Sequence, residues 1–120
     1  MDVFVISPYR GEHGTDVCND PVVPYRVQAA SEYIAELTKQ GFVCYSTVSA
    51  MHHISVDFDL PKSWEYWKKH CEIMIMHAYE VHVLCLDGWK ESEGVQAEIE
   101  IAKMFSKKIK YINKTGDHPQ

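Results

Sequence analysis

The 120-residue chain has no long apolar run, no CxxC pair, no basic cluster and no internal repeat. Each absence removes a class of protein. Without about twenty continuous apolar residues there is no membrane-spanning helix to place. Cys18, Cys44, Cys71 and Cys85 are widely and unevenly spaced, which argues against a zinc knuckle or a disulfide framework and predicts free thiols. The net charge is -5, and with no basic run this disfavours a nucleic-acid polymer as partner, although a few local groups suffice for a small anion. The opening residues, MDVFVISPY, lack the basic region and apolar segment of a secretory leader, so a cytoplasmic location is expected. The length predicts one domain, residues 1–112, followed by a polar tail, 113–120.

What is present alternates between strand-like and helix-like segments. Val3–Ile6 is a wholly apolar run that stops at Ser7-Pro8, the pattern of a strand buried on both faces. Residues 9–23 contain Gly11, Gly14 and Asn19-Asp20-Pro21 and predict a long loop. From Pro24, Val27, Ala30, Ile34 and Leu37 recur at helical spacing, with Gly41 placed to cap the helix. Residues 42–47 read as a second strand, and 48–59, containing His52-His53, as irregular. Pro61 then marks a helix start with Asp59 near the N-cap, and Trp64, Trp67, Cys71, Met74 and Ala78 form its inner face. A third strand at 81–86, a helix at 93–107 and a fourth strand at 109–112 complete the chain. This α/β alternation predicts a parallel sheet of order 2-1-3-4 covered by helices on both faces. Its ligand crevice lies outside the carboxyl ends of strands one and three, where residues 7–11 and 87–98 meet.

One charge is out of place. At roughly 100° per residue, Val95, Ala97, Ile99, Ile101, Ala102, Met104 and Phe105 form an apolar arc, and Glu98 falls inside it. A carboxylate there is costly unless paired, protonated or used. Two readings stay open, a glutamate bonded across the core to a tyrosine or arginine, and a glutamate in a ligand site. Ser92-Glu93-Gly94 opens the same helix, either as a plain cap or as an anion site built from free N–H groups and the helix dipole. Arg10 supplies a fixed charge for a phosphate or is simply solvated. Glu98 lies about one and a half turns inward, several Å from such an anion. That separation suits attack on the anomeric carbon of a phosphorylated sugar, with a second acid for the departing group. Trp64 and Trp67 fit a core or a stacking surface, whereas Trp89 sits in a loop beside the crevice. His52, His53, His70 and Cys71 lack metal-ligand spacing. His70 and His77 are expected on solvated or interface faces, and Cys85 in the core.

The segment DGWKESEGVQAEIEIA, with the earlier VFVISPYRG, resembles the nucleoside 2-deoxyribosyltransferase superfamily, most closely its small phage and bacterial members of undefined function. The pattern Ser-x-Gly-Val-x-x-Glu, met by Ser92, Gly94, Val95 and Glu98, is also similar to 2′-deoxynucleoside 5′-phosphate N-hydrolases. The resemblance implies a flavodoxin-like three-layer fold in which Glu98 attacks the deoxyribose and Ser92 contacts the phosphate. Ser7, Pro8, Arg10, Gly11, Asp87, Gly88, Trp89 and Gly94 are the expected remaining substrate contacts. Relatives place a tyrosine where Phe4 stands, so Tyr9 is expected to orient Glu98. Their base-side aspartate maps near Glu72, with Asp59 as the alternative. The implied function is cleavage or transfer of the N-glycosidic bond of a (deoxy)nucleoside or its 5′-monophosphate. A non-catalytic sensor or sponge for a nucleotide-derived ligand is the alternative. No metal or other cofactor is expected. Relatives are homodimers or larger, and residues 73–76 are the expected interface.

Overall fold

The computed structural model describes residues 1–11 and 17–113. Strands β1 (Val3–Ile6), β2 (Cys44–Ser46), β3 (Glu80–Leu84) and β4 (Lys108–Ile112) form one parallel sheet in the order β2-β1-β3-β4. Val3 lies beside Cys44 on one side and Glu80 on the other, and Glu80 beside Lys108. Helices α1 (Val22–Lys39), α2 (Thr47–Asp57), α3 (Trp64–His77) and α4 (Glu93–Met104) complete a flavodoxin-like architecture. No described helix is long and apolar enough to cross a membrane.

The layers follow from the period-two alternation of the strands. Phe4, Ile6, Val81 and Val83 pack with Cys71 and Ile75 of α3 and with Val95, Ile99 and Ala102 of α4. Val3, Val5, Leu84 and Leu86 project the other way, onto Tyr33 and Leu37 of α1. All four residues of β1 are buried, as a central strand between two helical layers requires. Each large side chain so enclosed contributes roughly 1.5–3 kcal/mol. The edge is managed differently. On β4, Lys108 and Lys110 are exposed, which discourages pairing with another strand. Lys110 also lies 3.3 Å from Glu80, Glu80 is 2.5 Å from His82 Nε2, and His82 Nδ1 is 2.7 Å from the Tyr33 hydroxyl. This polar chain runs across the sheet beside α1.

Two stretches differ from the sequence expectation. Residues 48–59 are not irregular, because α2 occupies most of them, with the Ser46 side chain accepting from Ser49 N–H at its start. Its apolar pattern is faint because only Val48 and Val56 join a core cluster, with Val17, Val23 and Val27. Asp59 consequently ends α2 in a left-handed conformation (φ 52) rather than starting α3, and Ser63 caps α3 by accepting from Tyr66 N–H. The fourth helix is also shorter than expected. Ser106 turns left-handed (φ 55) to redirect the chain into β4, and this leaves Met104 and Phe105 78% and 37% exposed rather than in the apolar arc. Gly14 and all but the first residue of the predicted tail lie outside the described residues.

Asp20 and Arg26 fix the loops above β1 and β3. The Asp20 carboxylate accepts from Gly11 N–H at 2.6 Å and from Val22 N–H at 3.1 Å, tying the β1 loop to the start of α1. Arg26 donates through Nη1 to the Arg10 carbonyl at 2.6 Å and through Nη2 to the Asp87 carbonyl at 2.7 Å. Gly88 sits against that guanidinium, where an added Cβ would be 2.6 Å from Nη2.

Gly41 and Gly88 have nearly the same positive φ, 93° and 90°, but nothing among the described residues lies within 4 Å of a Cβ built on Gly41. Gly41→Ala should therefore cost only the left-handed backbone, about 1–2 kcal/mol. Gly88→Ala should cost about 1 kcal/mol or more beyond that, since Arg26 must release a carbonyl. Urea unfolding of both variants measures the difference, and equal losses would contradict the role given to Arg26.

Candidate functional site

Four segments converge outside the carboxyl ends of β1 and β3 and enclose a cavity of about 140 Å³, open on one side. The loop after β1 supplies Ser7, Tyr9 and Arg10, and the start of α4 supplies Ser92, Gly94 and Glu98. The α2 helix contributes Thr47, Val48, Met51, His52 and Ser55, and the start of α3 brings Ser63, Trp64, Trp67 and Cys71. The position is the switch point where neighbouring strands lead to opposite layers. The volume is that of a cavity enclosing a single six-membered ring, so a larger ligand reaches outward through the open side.

Glu98 forms part of the cavity wall while remaining only 8% exposed. Burial pushes its carboxyl up from 4.5 to about 8, partly offset by the Cys71 thiol hydrogen-bonded to it. Cys71 in turn is pushed well above an ordinary thiol by its own burial and by the neighbouring Glu98, and lies 3.5 Å from the Thr47 hydroxyl. At neutral pH Glu98 is therefore a carboxylic acid. Introducing positive charge, or withdrawing the proton to a nearby base, converts it to a carboxylate.

One end of the cavity is built from the start of α4. Ser92 accepts from Val95 N–H at 3.2 Å, which makes it a helix cap and still leaves its own O–H free to donate. An added Cβ on Gly94 would meet Trp64 at 3.9 Å, an ordinary contact. No clash forces a glycine here, and its bareness keeps the cavity open beside the indole. Ser7 is the second indication of a ligand. It is 5% exposed, lines the cavity, and its hydroxyl has no hydrogen-bond partner among the described residues. Buried hydroxyls are nearly always satisfied, and this one faces the space a ligand would fill.

On the α2 side, the Tyr9 hydroxyl lies 2.7 Å from His52 Nδ1. Burial raises the Tyr9 phenol to about 12, Cys18 raising it further and Arg10 opposing, so the phenol keeps its proton at neutral pH. Burial and the adjacent His53 lower the His52 imidazole below 6.5, with Asp57 opposing.

The predicted site residues divide cleanly. Ser7, Tyr9, Arg10, Ser92, Gly94 and Glu98 come together at the cavity. Pro8, Gly11, Asp87, Gly88 and Trp89 do not line it. Gly11 and Gly88 serve the Asp20 and Arg26 contacts, the Asp87 carbonyl accepts from Arg26, and Pro8 is buried. Trp89 packs instead on Tyr111, with Lys90 over its ring. Neither expected second acid arrives. Asp59 is fully exposed beside Lys62 at 3.7 Å, and Glu72 lies on α3 away from the cavity lining. Tyr9 is bonded to His52 rather than orienting Glu98. Trp64 and Trp67 reach the cavity, although Trp64 also packs on the core. His70 is bonded to the Tyr45 hydroxyl at 2.7 Å rather than solvated. Sequence reasoning missed the α2 contribution because its inner face meets a cavity, not a core. The available signal was Ser46 as a cap followed by Val48, His52 and Ser55 at helical spacing. Among the described residues, no group of three or more His, Cys, Asp or Glu is placed to hold a metal.

The chain belongs to the family described as a domain of unknown function (DUF1937), which it matches over residues 1–114. No curated protein matches it.

The raised Glu98 carboxyl has a consequence for stability. Folded, it holds its proton up to about pH 8; unfolded, it releases the proton near 4.5. Its stabilising contribution is thus complete below the unfolded value and is lost as pH rises through the folded one. Glu98→Gln should remove that dependence. The stability of the wild type relative to the variant should fall by on the order of a few kcal/mol between about pH 5 and pH 8. Denaturant midpoints across this range check it, and parallel pH profiles would mean that Glu98 is already ionised.

Proposed function

We propose that the cavity binds a (deoxy)nucleoside or its 5′-monophosphate and that Glu98 cleaves or transfers its N-glycosidic bond. The observation that supports this best is the placement of a buried glutamate in one cavity with a capped helix start, an unsatisfied buried serine and an indole. Ser92, Ser7, Arg10 and the N–H groups beside Gly94 take the phosphate, where hydrogen bonds and the helix dipole both favour an anion. Trp64 and Trp67 offer the ring surfaces for the base. Ionised Glu98 attacks the anomeric carbon. An O–C1′ bond forms, the C1′–N bond breaks with its electron pair going to the base, and the base takes up a proton. Water or a second base then displaces the carboxylate from the glycosyl enzyme.

The fold and family membership are compatible with this reading, and its support is the site geometry. The likeness to nucleoside 2-deoxyribosyltransferases carried by Ser92, Gly94, Val95 and Glu98 adds the sugar as the reacting group. The same reading takes Ile73 and Met76, 42% and 45% exposed on α3, as a self-association face.

A second reading is a nucleotide-binding protein without turnover. Two observations favour it. Phe4 is fully buried among apolar residues where the relatives have a tyrosine hydroxyl, and both expected second carboxylates lie outside the cavity.

Incubation with a panel of deoxynucleosides and their monophosphates, followed by chromatography of the free base, separates the two. Base release should fall at least 10³-fold in Glu98→Ala, while nucleotide binding persists. Arg10→Ala should weaken monophosphates about tenfold in KM and leave nucleosides nearly unchanged. Nucleotide binding without base release by the wild type would establish the non-catalytic reading instead.

A further inference from the structure

We propose that His52, held by Tyr9, is the group that gives a proton to the departing base. This rests on the glycosidase reading above, and it fills the vacancy left by Asp59 and Glu72. Base departure needs a proton donor inside the cavity, and the lining offers few. Glu98 is committed as nucleophile and Cys71 is engaged with it. Arg10 does not give up its proton in water, and the serine and threonine hydroxyls are far too weakly acidic. Tyr9 and His52 remain, and they are bonded to each other.

The Tyr9 contact decides which imidazole nitrogen works. Tyr9 engages Nδ1, so Nε2 is the nitrogen left to exchange a proton with a ligand. The ring is also fixed in orientation, because it meets the Tyr9 ring edge-on at 5.6 Å and His53 at 5.1 Å. The charged and titratable groups around it are His53 and Asp57 on its own helix and, across the cavity, Tyr9 and Arg10 from the β1 loop, Glu98 from α4 and Cys71 from α3. The other residues on the α3 side of the cavity, Ser63, Trp64 and Trp67, carry no charge.

The protons balance without any outside reactant. Glu98 carries one proton and His52 is neutral, with Nδ1–H donating to the Tyr9 oxygen and Nε2 bare. Moving the Glu98 proton to His52 Nε2 creates a nucleophilic carboxylate and an acidic imidazolium, with no change in net charge. When the carboxylate oxygen bonds to C1′, the C1′–N pair leaves with the base and the Nε2 proton follows it. Neutral His52 then takes a proton from the incoming water. The C1′–O(Glu98) bond breaks with its pair returning to the carboxylate, and the imidazolium is restored.

The test uses two substrates that differ in their need for an acid. One is the deoxynucleoside monophosphate that the wild type turns over fastest. The other is 4-nitrophenyl 2-deoxyriboside 5-phosphate, whose leaving group departs without protonation. His52→Gln should lose 10²–10³-fold in the single-turnover rate of base release from the nucleotide, within the range of a general acid, whereas single-turnover nitrophenol release, read above about pH 8 where Glu98 ionises without His52, should stay within about threefold of the wild type. In the wild type, kcat/KM for the nucleotide should fall again above about pH 8, where Glu98 and His52 no longer share a proton. In His52→Gln, kcat/KM for the nitrophenyl substrate should rise through that pH and level off. Tyr9→Phe should show a smaller loss, confined to the nucleotide. Circular dichroism and thermal melting identify a variant that has not folded. If one has not, His52→Asn takes its place with the same expectations. Equal loss on both substrates, or no loss on either, would overturn the role of His52 while leaving Glu98 as nucleophile. Absence of wild-type turnover on both substrates would overturn the glycosidase reading and this proposal with it.

Discussion

Burying a carboxyl group among apolar side chains costs several kcal/mol unless the group takes a proton or finds a partner, and Glu98 does both. It holds its proton up to about pH 8 and meets the Cys71 thiol. The rest of the carboxyl end of the sheet is disposed around this constraint. The α4 helix must start near Ser92 for residue 98 to reach the cavity, and α3 must bring Cys71 alongside. The apolar residues Val95, Ile99 and Ala102 anchor α4 to Phe4, Val81 and Val83. The packing that buries the charge therefore also fixes where it points.

Rigidity comes from polar contacts outside the cavity. Arg26 joins the loops after β1 and β3 through the carbonyls of Arg10 and Asp87, and Asp20 closes the first of these loops on α1. Neither side chain lines the cavity. Both act by holding Arg10 and the start of α4 in one relation, so that a ligand meets groups already in place. The α2 helix supplies the remaining wall. Its His52 and Ser55 face the cavity and its Ser49 meets the Ser31 hydroxyl of α1, rather than a core.

Much of this was legible from the sequence, and for identifiable reasons. The strand order and layers followed from apolar runs punctuated by Pro8, Gly41 and Gly88, because a parallel sheet has few ways to wind. The burial of Glu98 followed from helical geometry alone. What was hidden depended on contacts distant in sequence. No local pattern announces that Tyr9 bonds to a residue on α2, or that Asp20 and Arg26, rather than a ligand, explain Gly11 and Gly88. The α2 helix was overlooked because its polar inner face mimics a loop. Trp89, in the right loop, was drawn away by Tyr111 on β4.

On the proposed mechanism Glu98 bonds to a sugar carbon. A 2-deoxy-2-fluoro-arabinosyl nucleotide slows the breakdown of a glycosyl ester more than its formation, and can hold it long enough for mass spectrometry. The peptide containing Glu98 should gain the mass of one fluorinated sugar phosphate, and the Glu98→Ala protein should gain none. An unmodified Glu98 peptide, from protein that releases the base of the same nucleotide, would contradict it.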